Sequence, residues 1–228
     1  FVLRNLRERL TLTRDWAETD APSHEDLILT SSDLTVPLMT CYDSLQDCGM
    51  SIIADGLLKE TLIRAHTFGV TLVELDIRQS SDRHIELLDA ITKYLELGSY
   101  QSWSEKARTD FLIQELESKR PLMPDTWVPE GEAAETLKTF RLIGQNNGHG
   151  IASYIISMAK RPSDVLGVVL LLRKCGVTRV LPVVPLFETL DDLENAAWTL
   201  ERLLRTNWYR DHIGGSQQIM IGYSDSAK

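Results

Sequence analysis

GHGIASYIISM (148–158), PSDVLGVVLLLRK (162–174) and VTRVLPVVPL (177–186) follow one another with only Ala159-Lys160-Arg161 and Cys175-Gly176 between them. The first and third segments are short, apolar and rich in β-branched or aromatic residues (Ile151, Tyr154, Ile155, Ile156), so they read as strands. The middle segment opens on Pro162-Ser163-Asp164 and closes at Gly176, the proline-first, glycine-last asymmetry of a helix. Neither strand alternates cleanly between polar and apolar residues. That pattern belongs to parallel strands buried on both faces and joined by a helical crossover.

The same logic extends to both sides of this unit. VTLVELDI (70–77) is β-branched and alternating, hence a strand. Three helices are expected between it and residue 148, over 82–97, 103–118 and 131–144, with Ser102-x-x-Glu105 as a capping box for the second. Pro121, Pro124 and Pro129 fill the loop before the third. Downstream, Thr189 opens a helix to about Arg205 with Asp192 at the box position, and 217–222 reads as a fourth strand. Before residue 70 the chain reads as helices. Residues 1–19 form a polar one and 20–35 a loop. Pro37–Cys48 forms a second, with Leu38, Cys41, Leu45 and Cys48 on one face, and 54–68 a third, broken by Gly69. From residue 70 the order is β-ααα-β-α-β-α-β. Either a doubly wound sheet or part of a (β/α)8 barrel satisfies it, and four strands cannot close a barrel of eight. The chain begins at Phe1 and stops at Lys228, directly after a strand exit, so a piece of a longer polypeptide is expected.

Composition narrows the function classes. The 228 residues are 43% hydrophobic and 25% charged with a net charge of −9, which disfavours a surface that tracks nucleic acid or an anionic membrane. The longest apolar runs, Val165–Leu172 and Val180–Phe187, are far too short to span a bilayer. Three cysteines without metal-like pairing fit a reduced, cytoplasmic compartment. Cys41 and Cys48 read as core residues of a helix. The tryptophans read as packing anchors. Gly144-x-x-x-Gly148-x-Gly150 lacks the Gly-Lys-Ser/Thr of a phosphate loop and precedes a strand, the wrong order for a dinucleotide site. His24, His66, His84 and His212 lack metal-ligand spacing, His149 reads as a loop residue, and no G-x-S-x-G elbow is present.

In parallel α/β folds chemistry collects at the carboxyl ends of the strands. Here those exits carry Asp76, Arg78 and Gln79, then Ser157, then Glu188, then Ser224, Asp225 and Lys228. Carboxylates with an arginine and a lysine on one rim suit a divalent cation and an anionic substrate. Taken singly each has a plainer reading: strand ends face solvent, and Asp76 could pair with Arg78 or Arg83. Asp191 and Asp192 complement a helix dipole.

Five strings at these positions, VELDIRQ (73–79), SKRPL (118–122), YIISMA (154–159), PLFETLDDL (185–193) and MIGYSDSAK (220–228), closely resemble the phosphoenolpyruvate carboxylase family, its bacterial form above all. The resemblance runs from about Leu38 to Lys228 and is loose over residues 1–35. It implies a partial (β/α)8 barrel with extra helices inside a larger, mostly α-helical enzyme. Residues 1–69 would be a helical lead-in, and 70–228 the first half of the barrel with a helical insertion at 81–146. It implies carboxylation of phosphoenolpyruvate by bicarbonate to oxaloacetate and phosphate, with Mg2+ or Mn2+, through carboxyphosphate and an enolate, in a homotetramer. By match to the motifs, Glu188 and Asp225 would be metal ligands, Arg78 would bind substrate and act in catalysis, and Lys228 would be the active-site lysine. Ser157 and Gln79 would support them, and Arg120 is structural. The family's histidine motif and glycine-arginine loop fall outside these residues. Gln79-Ser-Ser departs from the commoner Gln-Glu-Ser. A non-catalytic α/β module is the alternative, or another barrel enzyme acting on phosphoenolpyruvate or a ketoacid, which MIGYSDSAK argues against.

Overall fold

The computed structural model describes residues 1–19 and 25–222 and divides the chain into two compact units, Phe1–Glu74 and Leu75–Lys228. The first is helical. Helix α1 spans Val2–Ala17 and α2 spans Ser31–Asp47. The loop expected to run to residue 35 is shorter, because Thr30 and Asp33 form a reciprocal capping box that starts α2 early and leaves Pro37 inside it. The single helix expected over 54–68 is three pieces: α3 (Ser51–Ile53), a π-helical turn (Ala54–Leu58) and α4 (Lys59–Phe68). Gly56 leaves helical geometry inside the turn, which is the physical cause of the kink. Leu6, Ile28, Leu38 and Leu62 form this unit's core. Cys41 is half-buried and Cys48 is exposed at the end of α2, so the latter is not the core residue its spacing suggests.

The second unit holds a parallel four-stranded sheet, β1 (Leu75–Ser80), β2 (Ile151–Ser157), β3 (Val183–Phe187) and β4 (Met220–Ile221), in the order β1-β2-β3-β4. Helices α5 (Ser81–Tyr94), α6 (Glu105–Glu117) and α7 (Glu132–Gln145) lie between β1 and β2. Helix α8 (Pro162–Lys174) connects β2 to β3, and α9 (Leu190–Arg205) with the short α10 (Asn207–His212) connects β3 to β4. The mixed α/β class and parallel strands agree with the sequence reading. Several boundaries do not. Residues 70–74 are not strand: Leu72 has φ 62°, and pairing with β2 begins only at Leu75. Strands β3 and β4 are shorter than expected, and α10 was not foreseen. Helix α6 is capped by Ser104, whose side chain accepts from the Ala107 amide, not by Ser102. Glu105 instead reaches α8, accepting from the Ser163 amide at 3.0 Å and hydroxyl at 2.7 Å.

Parallel pairing puts Asp76, Arg78, Ser153, Ile155, Ser157, Val184, Leu186 and Met220 on one face. The opposite face, with Ile77, Tyr154, Ile156 and Val183, packs into the main core beneath α5, α7 and α8. Trp103, Trp127 and Trp208 pack against that core, whereas Trp198 is exposed under Arg202. The first face holds only the small cluster Ile155, Val184, Leu186 and Met220. Among the described residues no helix is long and apolar enough to cross a membrane.

Candidate active site

The polar residues of the first face gather at the carboxyl ends of the strands. Arg78 lies near the end of β1, Ser157 ends β2, and Glu188 is the first residue after β3. The Arg78 guanidinium donates to Glu188 Oε1 at 2.6 Å, crossing the end of β2. Glu188 is held by its own backbone. Its amide donates to Asp192 Oδ2 at 3.3 Å and the Thr189 amide to the same oxygen at 3.1 Å, while Thr189 Oγ1 accepts from the Asp192 amide. Burial alone would raise the Asp192 carboxyl, but hydrogen bonds from Thr189 and the Glu188 amide outweigh it and hold it below the usual carboxylate range. Asp192 therefore does more than complement the helix dipole; it fixes the turn that presents Glu188.

Gly222 completes this corner. Its amide donates to the Phe187 carbonyl at 2.9 Å. A Cβ there would meet Glu188 Cγ at 2.9 Å and its Cα at 3.1 Å, so only glycine lets the β4 exit pass this close to the carboxylate. Asp225 and Lys228 follow it and lie outside the described residues.

Asp76 does not pair with Arg78 or Arg83. It accepts from Ser153 Oγ at 2.6 Å, and Arg83 pairs with Glu132 at 2.7 Å. Gln79 turns to the opposite face, where its Oε1 accepts from the Tyr154 hydroxyl at 2.9 Å. Arg120 pairs with the buried Glu115, an interaction of the helical layer. His84, dismissed as a ligand on spacing, lies fully buried with Nε2 2.8 Å from the Tyr154 hydroxyl.

A cleft of about 660 Å³ opens among Glu105, Lys160, Arg161, Asp192 and Trp198. Two of its carboxylates are already engaged as helix caps, Glu105 on Ser163 and Asp192 on residues 188–189. Neither Arg78 nor Glu188 is among the residues that line this cleft.

A family model described as phosphoenolpyruvate carboxylase matches residues 1–228. The chain belongs to the phosphoenolpyruvate carboxylase family. It is 50% identical over 232 residues to the phosphoenolpyruvate carboxylase of Hahella chejuensis (strain KCTC 2396). It is 51% identical over 233 residues to those of Escherichia coli (strain K12 / DH10B) and Shigella boydii serotype 18. Each alignment covers 100% of this chain and 26% of the relative, so the chain spans about a quarter of the length of the phosphoenolpyruvate carboxylases it matches.

Proposed function

We propose that the full-length protein carrying these residues carboxylates phosphoenolpyruvate with bicarbonate, giving oxaloacetate and phosphate, with the four parallel strands forming half of a (β/α)8 barrel. The observation that carries this reading is the Arg78–Glu188 contact. It joins a cation and a carboxylate from two motif strings at the carboxyl ends of parallel strands, in a chain whose whole length matches the family. Arg78 binds the phosphate or carboxylate of the substrate through its planar fork and offsets charge as the phosphate bond breaks. Bicarbonate attacks the phosphorus, forming carboxyphosphate and releasing the pyruvate enolate. Carboxyphosphate then yields phosphate and CO2, and the enolate carbon bonds to CO2. By its position in the family motif, Lys228 would act as a point charge toward bicarbonate or phosphate.

The donor set at this corner suits a hard cation in kind. Glu188 offers carboxylate oxygens, the ligand type such a cation takes, at the exit of β3. Among the described residues no group of three or more candidate ligands occurs; by match to the family motif Glu188 would hold Mg2+ or Mn2+ together with Asp225. When bound, such a cation supplies Lewis-acid stabilisation of phosphate and enolate oxygens. Arg78 would then exchange Glu188 for the substrate anion.

The test is oxaloacetate formation by the full-length protein, with phosphoenolpyruvate, bicarbonate and Mn2+ varied in turn. Activity should require all three, and Glu188→Gln should lower kcat/KM by roughly 10²-fold at limiting Mn2+. No oxaloacetate from the unaltered protein would overturn the reading. The 228-residue stretch by itself, whose outer strands β1 and β4 have no further partner among the described residues, is expected to be inactive.

A further inference from the structure

Behind the face that carries Arg78 runs a buried polar chain that the proposed chemistry does not use. Tyr154 donates its one hydroxyl proton to Gln79 Oε1 at 2.9 Å. His84 Nε2, 2.8 Å from that hydroxyl, must then be the donor in the second bond. Its Nδ1 keeps the lone pair, buried and without a partner among the described residues. Phe140 stacks on Tyr154 at 5.4 Å and meets His84 edge-on at 5.9 Å. His84 and Tyr154 are 1% and 0% exposed. Burial pushes the His84 pKa down to about 3, so the chain holds one protonation pattern at neutral pH.

Polar groups in such a place cost stability unless paired, and apolar side chains of the same shape would fill the space without that cost. A chain of hydrogen bonds instead specifies a position. This one ends on Gln79, the neighbour of Arg78 in β1. A second tie lies two residues further on: Ser81 Oγ donates to the Met158 carbonyl at 2.9 Å. Met158 sits at φ 59°, a left-handed conformation uncommon for a residue with a side chain. Gln79 and Ser81 are thus both fastened to β2 or its exit, while Arg78, half-exposed, reaches across to Glu188.

We propose that His84, Tyr154 and Gln79 are positioning residues that fix the exit of β1 so that Arg78 presents its guanidinium to the substrate anion. The identity of that anion rests on the function proposed above. The network acts through Arg78 and touches no substrate itself.

Tyr154→Phe in the full-length protein removes the hydroxyl and keeps the ring. KM for phosphoenolpyruvate should rise by about 5- to 20-fold with kcat changed less, and KM for bicarbonate should not move. In an Arg78→Gln background the same substitution should add no further rise, because its effect runs through Arg78. His84→Gln, which keeps a donor, should retain more phosphoenolpyruvate affinity than His84→Leu. An unmoved KM, an equal rise for both substrates, or an additive effect with Arg78→Gln would overturn the proposal, since a core role alone lowers only the melting temperature. If Tyr154→Phe does not fold, Gln79→Met cuts the chain at its outer end and is read the same way. If the unaltered protein forms no oxaloacetate, the proposed reaction fails. The network is then read by hydrogen exchange, where Tyr154→Phe should speed the amides of residues 78–80 by roughly tenfold relative to α8, and unchanged exchange would overturn it.

Discussion

Arg78 and Glu188, 110 residues apart in the chain, meet at 2.6 Å across the end of β2. The arginine side chain is 53% exposed and the glutamate 20%. A pair so open to solvent contributes on the order of 0.2–1 kcal/mol to folding. Its value lies in where it places two opposite charges.

Function and stability should therefore separate at Arg78. Arg78→Gln is expected to shift the melting temperature by only about 1–3 °C while raising KM for phosphoenolpyruvate at least roughly tenfold. Arg78→Lys should not restore affinity, because an ammonium cannot reproduce the two-pronged grip on phosphate or carboxylate. Thermal unfolding and steady-state kinetics on the same preparations check both statements.

Gly222 should behave in the opposite way, as a backbone position whose loss is felt at a neighbouring carboxylate. In Gly222→Ala the new Cβ meets Glu188 Cγ at 2.9 Å and its Cα at 3.1 Å, so the carboxylate must turn away or the β4 exit must move. The expected cost is about 1–3 kcal/mol of stability. It should come with a raised Mn2+ requirement in the oxaloacetate assay, which Arg78→Gln should not share.

His84 predicts a pH window for stability. Its folded pKa is about 3 against 6.5 unperturbed, because burial disfavours the imidazolium. The unfolded chain binds the proton first. The contribution of neutral His84 is complete above about pH 6.5 and is lost as pH falls toward 3, at about 1.4 kcal/mol per pH unit. Denaturant midpoints should thus decline between pH 6.5 and 5, and His84→Gln should flatten that limb. Asp33, Asp89 and Asp192, held below the usual carboxylate range by their hydrogen bonds, lose their contributions only at lower pH.

The glycine run before β2 has a packing explanation that can be tested. A Cβ on Gly144 would lie 1.7 Å from the Cys175 carbonyl oxygen, a backbone atom with nowhere to go. Gly144→Ala should cost roughly 3 kcal/mol or more and fail to accumulate as folded protein. Gly167→Ala meets only the tip of the Leu88 side chain, at 2.8 Å. It should cost about 1 kcal/mol, as read by chemical denaturation.

What the amino-acid string disclosed follows a physical divide. Strand and helix order was legible wherever apolar runs ended in local signals, such as Thr189 with Asp192 or Pro162 with Gly176. Those signals act within a few residues and hold whatever surrounds them. Residues 70–74 misled because Val70, Leu72 and Val73 have strand composition, yet strand formation depends on a partner, and β2 offers none before Leu75. Ser102-x-x-Glu105 misled for a related reason. The glutamate caps a helix 58 residues away, and no local pattern encodes a distant donor. The exits carrying Arg78 and Glu188 could be found from the rule that parallel strands collect chemistry at one end. The turn of Gln79 away from that rim, toward Tyr154, required the paired register.

The strands lie in the sheet in the order in which they occur in the chain. As the polypeptide leaves the ribosome, each new strand can therefore dock on the edge of the one before it. No strand has to be threaded between two that are already paired. The two partners of the Arg78–Glu188 pair are consequently made at different times. Arg78 must wait, on an open edge, until β2 and then β3 have emerged and Glu188 arrives to meet it.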